Sequence, residues 1–427
     1  MSKTSNIGKG RELLDTGQKD MTKTGFLDQL YKDCQKDFNT MERVSDGDTD
    51  LWLPTGNAAL DFVLSDKTKG GGYPFGRVIE IYGDTTTGKS MLGLLALIQT
   101  IHHQGGAGLL QDVENAVVAK FYRMLGGDPR YLFVDCPLHI TSVYDNTCRF
   151  IEKVRAKSKE MPLLVVYDSL PISRSKVEFD LSKDDKPSRE DMGRRAKEHS
   201  DGLRKIVPLI KGTPTIFIII NSLMATFAQF GPDQETRGGT GPKLWSSIRI
   251  HLMKGKKLYL RGGGTVGEYD KNKAGGKAQG EMVGIRGRLQ VEKSRYTPPF
   301  REISFDILYR GGIHPYSGWF GALSQHSKAF QEAVTKGEGK VRAGYYVPAG
   351  TKPDDPDYTA KTFTANTFMQ RLPEMPELLA AYPFDPKFGL PDDESLVAVD
   401  FAEGEKEDSV GEDGGSYEAE PTNAEEV

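Results

Sequence analysis

Cysteine is scarce: Cys34, Cys136 and Cys148 are the only three in 427 residues. An odd, widely spaced set argues against a disulfide framework and against a thiolate zinc site. It fits a reducing cytosol. Long apolar runs are also missing. Ile216 to Ile220, among the strongest, is far too short to span a bilayer. The opening MSKTSNIGKGREL lacks the apolar stretch of a secretory leader. The expectation is a cytoplasmic protein, bacterial or in the host of a virus, with no membrane partner. Hydrophobic residues make up 37% of the chain. That is low, but enough for a main domain of about 250 residues with smaller attachments.

Positive charge is lacking at the carboxyl end. Between Pro391 and Val427 there are 14 acidic residues and one Lys. That balance of −13, within a net charge of −4, leaves residues 1–390 at +9. A basic body with an acidic tail suggests a polyanionic partner and a tail that competes with it. The plainer reading is a solvating, disordered tail.

Four segments follow from the pattern. Residues 1–50 hold a polar start and a helix with one apolar stripe, Phe26, Leu30, Cys34 and Phe38, four apart. That stripe must bury itself on its own core or on a neighbouring subunit. Residues 51–320 alternate strand and helix. Strands are expected at Arg77 to Tyr82, Ala107 to Gln111, Tyr131 to Val134, Leu163 to Tyr167 and Thr215 to Ile220. Helices are expected at Ser90 to His103, Ala116 to Leu125, Val143 to Lys157 and Met192 to Lys211. This is an α/β core with a mostly parallel central sheet flanked by helices. Past Ile248 the pattern turns strand-rich, with antiparallel hairpins around a Gly-rich stretch, Gly262 to Gly280. Residues 321–390 read as a small α+β module and 391–427 as the tail.

Gly83-Asp84-Thr85-Thr86-Thr87-Gly88-Lys89-Ser90 fits G-x-x-x-x-G-K-[ST], between an apolar strand and a helix. Such a loop curls backbone N–H groups round phosphate oxygens at a helix amino end. Lys89 reaches the outer phosphates and Ser90 offers a hydroxyl to Mg²⁺. These residues, with Met91 beside them, form the candidate ATP site. Asp168 ends the run Leu163 to Tyr167, a buried strand expected next to the P-loop strand, where a carboxylate can hold the Mg²⁺ water shell. Hydrolysis also needs a group to orient water. Glu114 is the candidate and Asp112 its rival.

Several segments in order resemble the RecA family of DNA recombinases, bacterial and phage-encoded. They are Leu53 to Asp61, Phe75 to Gly83 with the P-loop, Asp112-Val113-Glu114 and Met192-Gly193. Phe230-Gly231, Glu235-Thr236, Gly238-Gly239, Pro298 to Phe300 and Phe305 to Tyr309 follow. The resemblance covers about Leu53 to Phe320. It implies helical filaments on single-stranded DNA, homologous pairing with duplex DNA, strand exchange and DNA-stimulated ATP hydrolysis. It also implies a link to single-strand-binding protein through other components.

The resemblance further assigns roles. Glu114 matches the catalytic Glu. Phe121 falls where an aromatic stacks on adenine. Lys243, Lys293 and Arg295 match basic residues that reach ATP from the adjacent subunit. The first DNA loop falls within Ser173 to Asp191, without single base contacts assigned. On the helix that follows, Lys197 and Arg204, seven apart, match DNA-proximal positions, and Ser200 between them is a further DNA-binding candidate. Leu223 to Gly241 matches the second DNA loop, expected to be irregular over its 19 residues. Its DNA-binding candidates are Met224, Phe227, Phe230, Arg237, Gly238 and Gly239. After Asn221 the family places a Gln that senses the outer phosphate; here stands Ser222, too short to reach as far. A mediator-type paralogue that binds ATP and DNA without strand exchange stays open, as does a hexameric helicase motor.

Overall fold

The computed structural model describes residues 29–33, 51–180, 189–226, 234–260, 266–268, 282–337, 344–355, 358, 361–365 and 368–382. Residues 29–33 are helical and belong to a unit, 1–50, separate from 51–427. Phe227, Phe230, most of the stretch 262–280 and the acidic tail lie outside the described residues.

β1 (Trp52–Leu53), α1 (Ala58–Ser65) and β2 (Tyr73–Pro74) lead in. Asn57 caps α1, accepting from the Leu60 N–H at 2.9 Å. The alternating core follows: β3 (Arg77–Gly83), α2 (Lys89–Ile98), β4 (Ala107–Asp112), α3 (Ala119–Met124), β5 (Leu132–Asp135), α4 (Ile140–Lys157), β6 (Leu163–Asp168), α5 (Lys176–Asp180), α6 (Arg189–Ile210) and β7 (Thr215–Ala225). Next come β8 (Gln234–Thr236), α7 (Thr240–Trp245), β9 (Ile248–Leu260), β10 (Val266–Glu268), β11 (Met282–Ser294), β12 (Arg301–Leu308) and β13 (Gly312–Ile313). The chain then forms α8 (Trp319–His326), α9 (Lys328–Ala333), β14 (Val334–Lys336), β15 (Tyr345–Pro348), β16 (Phe363–Thr364), α10 (Phe368–Arg371) and α11 (Pro376–Ala381).

Among the described residues one sheet runs β13-β12-β11-β9-β3-β7-β6-β4-β5, with β10 on β9 and β8 on β7. From β9 to β5 every neighbour is parallel; from β9 to β13 every neighbour is antiparallel. The strands are apolar on both faces because both faces are covered. Ile79, Ile218 and Ile220 face α2 and its Leu94 and Leu97. Val78, Val165, Phe217 and Ile219 face α4 and α6 with Tyr144 and Leu203. The carboxyl-terminal residues Phe320, Phe330, Phe363 and Phe368 join the first of these two cores. No helix among the described residues is long and apolar enough to cross a membrane.

Three local expectations change. The helix expected to His103 is α-helical only to Ile98, then makes a π turn over Gln99–His103. The helix expected from Ala116 starts at Ala119, because the Asp112 carboxylate takes the N–H groups of Ala116 and Val117 at 3.2 and 3.0 Å. α4 starts at Ile140, earlier than expected, because His139 and Ser142 form a reciprocal cap. Topology brings a larger correction. The strand of Asp168 is not next to the P-loop strand: β7 lies between them.

Candidate nucleotide site and DNA-facing loops

β3 enters the P-loop at Gly83, level with Ser222 on one side and Leu252 on the other. Gly83 has φ 154°, and a Cβ there would lie 2.0 Å from the Leu252 carbonyl oxygen. Only glycine fits. Gly88, at φ 95°, precedes the first turn of α2. Asp84, Thr85 and Thr86 are exposed, whereas Thr87 is buried and donates to the Asp84 carbonyl at 2.9 Å. Lys89 Nζ folds back onto the same carbonyl at 2.5 Å. Burial lowers its pKa, opposed by the charges of Asp168, Asp84 and Glu114. Met91 is half-buried against the core.

α2 crosses above β7 and β6, so Ser90 reaches Asp168 despite the intervening strand. A Cβ on Gly93 would meet both Val166 of β6 and Ile220 of β7. The Ser90 side chain hydrogen-bonds Asp168. Burial pushes the Asp168 carboxyl up to about 6, countered first by that bond. A hydroxyl beside a carboxylate suits a hard divalent cation. Among the described residues no group of three or more His, Cys, Asp or Glu is set to hold a metal alone. Mg²⁺ here would take its remaining oxygens from phosphate and water.

The two rival acids separate by their bonds. Asp112 is buried and committed to the turn after β4. Glu114 is exposed, and its Oε1 accepts from Ser169 Oγ at 2.8 Å. Ser169 follows Asp168 across a cis peptide bond. Ser169 was not foreseen; a serine directly after a strand-ending Asp gave only a weak signal. Phe121 lies half-buried on α3, packed against the core, with the exposed Val118 at the helix start.

The basic set gathers elsewhere. Lys293 Nζ donates to the carbonyls of Lys243 and Leu244 at 2.9 and 3.1 Å. Lys243 Nζ lies 3.5 Å from Glu235, and Arg295 is exposed. Burial, then the charges of Arg295 and Arg249, lower the Lys293 pKa. Lys293 pairs with Arg249, and Arg249 with Glu80, three residues before Gly83. Lys293 therefore sits two strands across and roughly 10 Å back along the strand direction from its own P-loop, at about 3.3 Å per residue.

In the first loop, Ser173 and Ser175 are buried and α5 is tied to α6. Arg195 Nε donates to both Glu178 oxygens at 2.8 and 2.7 Å. Residues 181–188 lie outside the described residues. On α6, Lys197 and Arg204 are exposed, Arg204 3.2 Å from Asp201. Ser200 packs beneath α7: a Cβ on Gly241 would lie 2.6 Å from its Oγ. The second loop departs from the irregular expectation. Its ends zip into an antiparallel ribbon, Leu223 with Thr236, Met224 with Glu235 and Ala225 with Gln234. Met224 and Arg237 are exposed; Gly238 and Gly239 have φ 87° and 73°.

Buried charges on apolar strands were also missed. Glu80 interrupts β3 and Arg249 interrupts β9, each between isoleucines. An ionisable residue inside such a run was the available sign.

A P-loop opening α2 beneath a mostly parallel, helix-flanked sheet defines a RecA-type α/β core. The family described as RecA N-terminal domain matches residues 40–314. Protein RecA of Francisella tularensis subsp. novicida (strain U112) is 30% identical over 300 residues, 69% of this chain and 74% of that protein. Protein RecA of Francisella tularensis subsp. tularensis (strain WY96-3418) gives the same figures. The chain belongs to the RecA family. Membership supports a recombinase-type role with nucleotide and Mg²⁺ dependence in general.

Proposed function

We propose that the chain is a DNA-dependent ATPase that forms helical filaments on single-stranded DNA and promotes homologous pairing and strand exchange. One observation carries this reading. Lys89, Ser90 and Asp168, with Glu114 held by Ser169, converge beside the P-loop, while Lys243, Lys293 and Arg295 gather away from it. In this reading each subunit offers half a site. ATP and Mg²⁺ rest on Gly83 to Ser90, with Met91 near; Asp168 and Ser90 hold the metal. Phe121 backs the base and Glu114 orients water. The cations meet the phosphates of the next subunit, where positive charge in trans stabilises the transferring phosphoryl.

An exposed sheet edge supports association. β5 ends the sheet, and Tyr131, Phe133, Val134 and Leu138 beside it are exposed. DNA would follow Lys197, Arg204 and the loop carrying Met224, Phe227, Phe230, Arg237, Gly238 and Gly239. Ser200 would support α7 beneath that loop. In this organisation 51–320 is the ATPase core, 321–390 a small carboxyl-terminal domain and 391–427 the acidic tail.

The test is ATP hydrolysis with and without single-stranded DNA, with Lys89→Ala as control. Stimulation by DNA that vanishes in the variant is expected. DNA-independent hydrolysis, or none, overturns the reading. Ser222 is the feature that favours a mediator paralogue, and a strand-exchange assay separates it from a recombinase.

A further inference from the structure

Arg249 occupies a crossing point. Its side chain is 8% exposed and that of its partner Glu80 is 0% exposed. Arg249 Nε donates to Glu80 Oε2 at 2.6 Å. Nη1 pairs with Glu292 Oε2, and Nη2 donates to Thr236 Oγ1 at 3.2 Å. The guanidinium lies 4.8 Å over the Tyr82 ring, whose hydroxyl donates to Glu292 at 2.7 Å. The other Glu80 oxygen accepts from Asn221 Nδ2 at 2.7 Å, and that amide also donates to the Arg237 carbonyl at 2.8 Å.

Three functional elements therefore meet on one planar fork. Glu80 and Tyr82 belong to the strand that becomes the P-loop. Thr236 and Arg237 belong to the returning arm of the second loop. Glu292 immediately precedes Lys293. Guanidinium donors point in fixed directions, so a shift of any one element is felt by the other two; a lysine ammonium cannot impose this. Ser222, by contrast, enters the network only through its backbone: its N–H donates to Asn221 Oδ1 at 2.8 Å and its carbonyl accepts from the Arg237 N–H at 3.4 Å.

We propose that Arg249 is a positioning residue that couples the nucleotide site to the second loop through the chain Thr236–Arg249–Glu80, in place of a side-chain contact from residue 222. The chain's arm to Glu292 extends the same coupling to Lys293. This rests on the reading that Gly83 to Ser90 binds ATP and that the loop binds DNA.

Thr236→Val is the decisive variant, because it removes one oxygen and leaves Glu80 and Arg249 paired. Amide hydrogen exchange of the full chain is followed with and without Mg²⁺ and a non-hydrolysable ATP analogue. In the parent protein the nucleotide slows exchange at both 83–91 and 234–239. In Thr236→Val the first protection persists and the second falls at least about fivefold. Thr236→Ser restores it, and Arg249→Lys also loses the protection at 234–239. Stimulation of hydrolysis by single-stranded DNA falls in step. Equal protection of 234–239 in parent and Thr236→Val overturns the proposal. So does loss of protection at 83–91 in Thr236→Val, which makes the hydroxyl part of the phosphate site itself. A parent protein without protection at 83–91 removes the ATP reading first, and this proposal with it. A parent protected at 83–91 but not at 234–239 removes this proposal alone.

Discussion

Ser222 sits directly beside Gly83, paired with it in parallel register across β3 and β7. The residue after Asn221 and the start of the phosphate loop are thus immediate neighbours on adjacent strands. The backbone N–H of Ser222 is engaged by Asn221, and its carbonyl accepts from the Arg237 N–H at 3.4 Å. Its hydroxyl makes no hydrogen bond among the described residues. Proximity is therefore present, while side-chain reach is not.

Ser222→Ala should accordingly change little. DNA-free hydrolysis, and the ratio of rates with and without single-stranded DNA, should stay within about twofold of the parent protein. The backbone bonds that join β7 to Asn221 and Arg237 survive the change. Loss of DNA stimulation in this variant would give the hydroxyl the signalling role that the geometry assigns to Thr236 and Arg249.

Asp112 and Glu114 should fail in different ways. Asp112 accepts two turn N–H groups, so Asp112→Ala should lower stability by about 1–2 kcal/mol, as losing a cap does. Glu114→Gln keeps an oxygen for Ser169 but loses the charge and the proton acceptor. Hydrolysis should drop by about 10²–10⁴ with nucleotide affinity retained. Single-turnover hydrolysis and fluorescent nucleotide titration check this. A Glu114→Gln enzyme that still turns over rapidly would return the role to Asp112.

Much of this site was legible before any coordinates. The P-loop announces itself, since its glycines, Lys89 and Ser90 act through local backbone geometry. The parallel core was legible because strands such as Leu163–Asp168 are apolar on both faces. Strand order was not. Nothing local places β7 between β3 and β6, so the reach of Ser90 to Asp168 across it could not be read. The ribbon of Leu223 with Thr236 was hidden for the same reason: it joins residues 13 apart across a stretch without strand periodicity. Glu80 and Arg249 were visible as charges on apolar strands, but only the register shows that they face one another.

Asp61 should give stability a pH dependence of its own. Its carboxylate is buried and accepts from the Thr55 N–H at 2.8 Å. Burial nevertheless dominates, and its pKa is pushed up to about 7. The unfolded chain titrates near 3.9. A folded pKa above the unfolded one means that the contribution is full below about pH 4 and is lost as pH rises through about 7. Across that window Asp61 should cost up to a few kcal/mol. Asp61→Asn keeps an acceptor for Thr55 and cannot ionise. Urea midpoints at pH 5 and pH 7.5 should then differ less in Asp61→Asn than in the parent; equal differences would count against the buried charge.

If the cations act in trans, two inactive variants should repair each other. Lys89→Ala spoils the P-loop half of a site, and Lys293→Ala spoils the half held at the carbonyls of Lys243 and Leu244. Each alone should hydrolyse ATP at a small fraction of the parent rate. In a head-to-tail assembly of equal parts, an interface is intact when the Lys293→Ala subunit supplies the P-loop and the Lys89→Ala subunit supplies the cation. Random mixing makes about a quarter of interfaces so. DNA-stimulated hydrolysis of the mixture should recover toward that fraction, and dilution below the assembly concentration should abolish the recovery. A mixture no more active than its components would mean that Lys293 serves its own subunit, across the two strand spacings and three residues, roughly 14 Å, that the register sets between it and Gly83. Covalently linked dimers carrying the two changes in either order then decide which face supplies which half. Only the order that brings an intact P-loop against an intact Lys293 within the linked pair should hydrolyse ATP at high dilution.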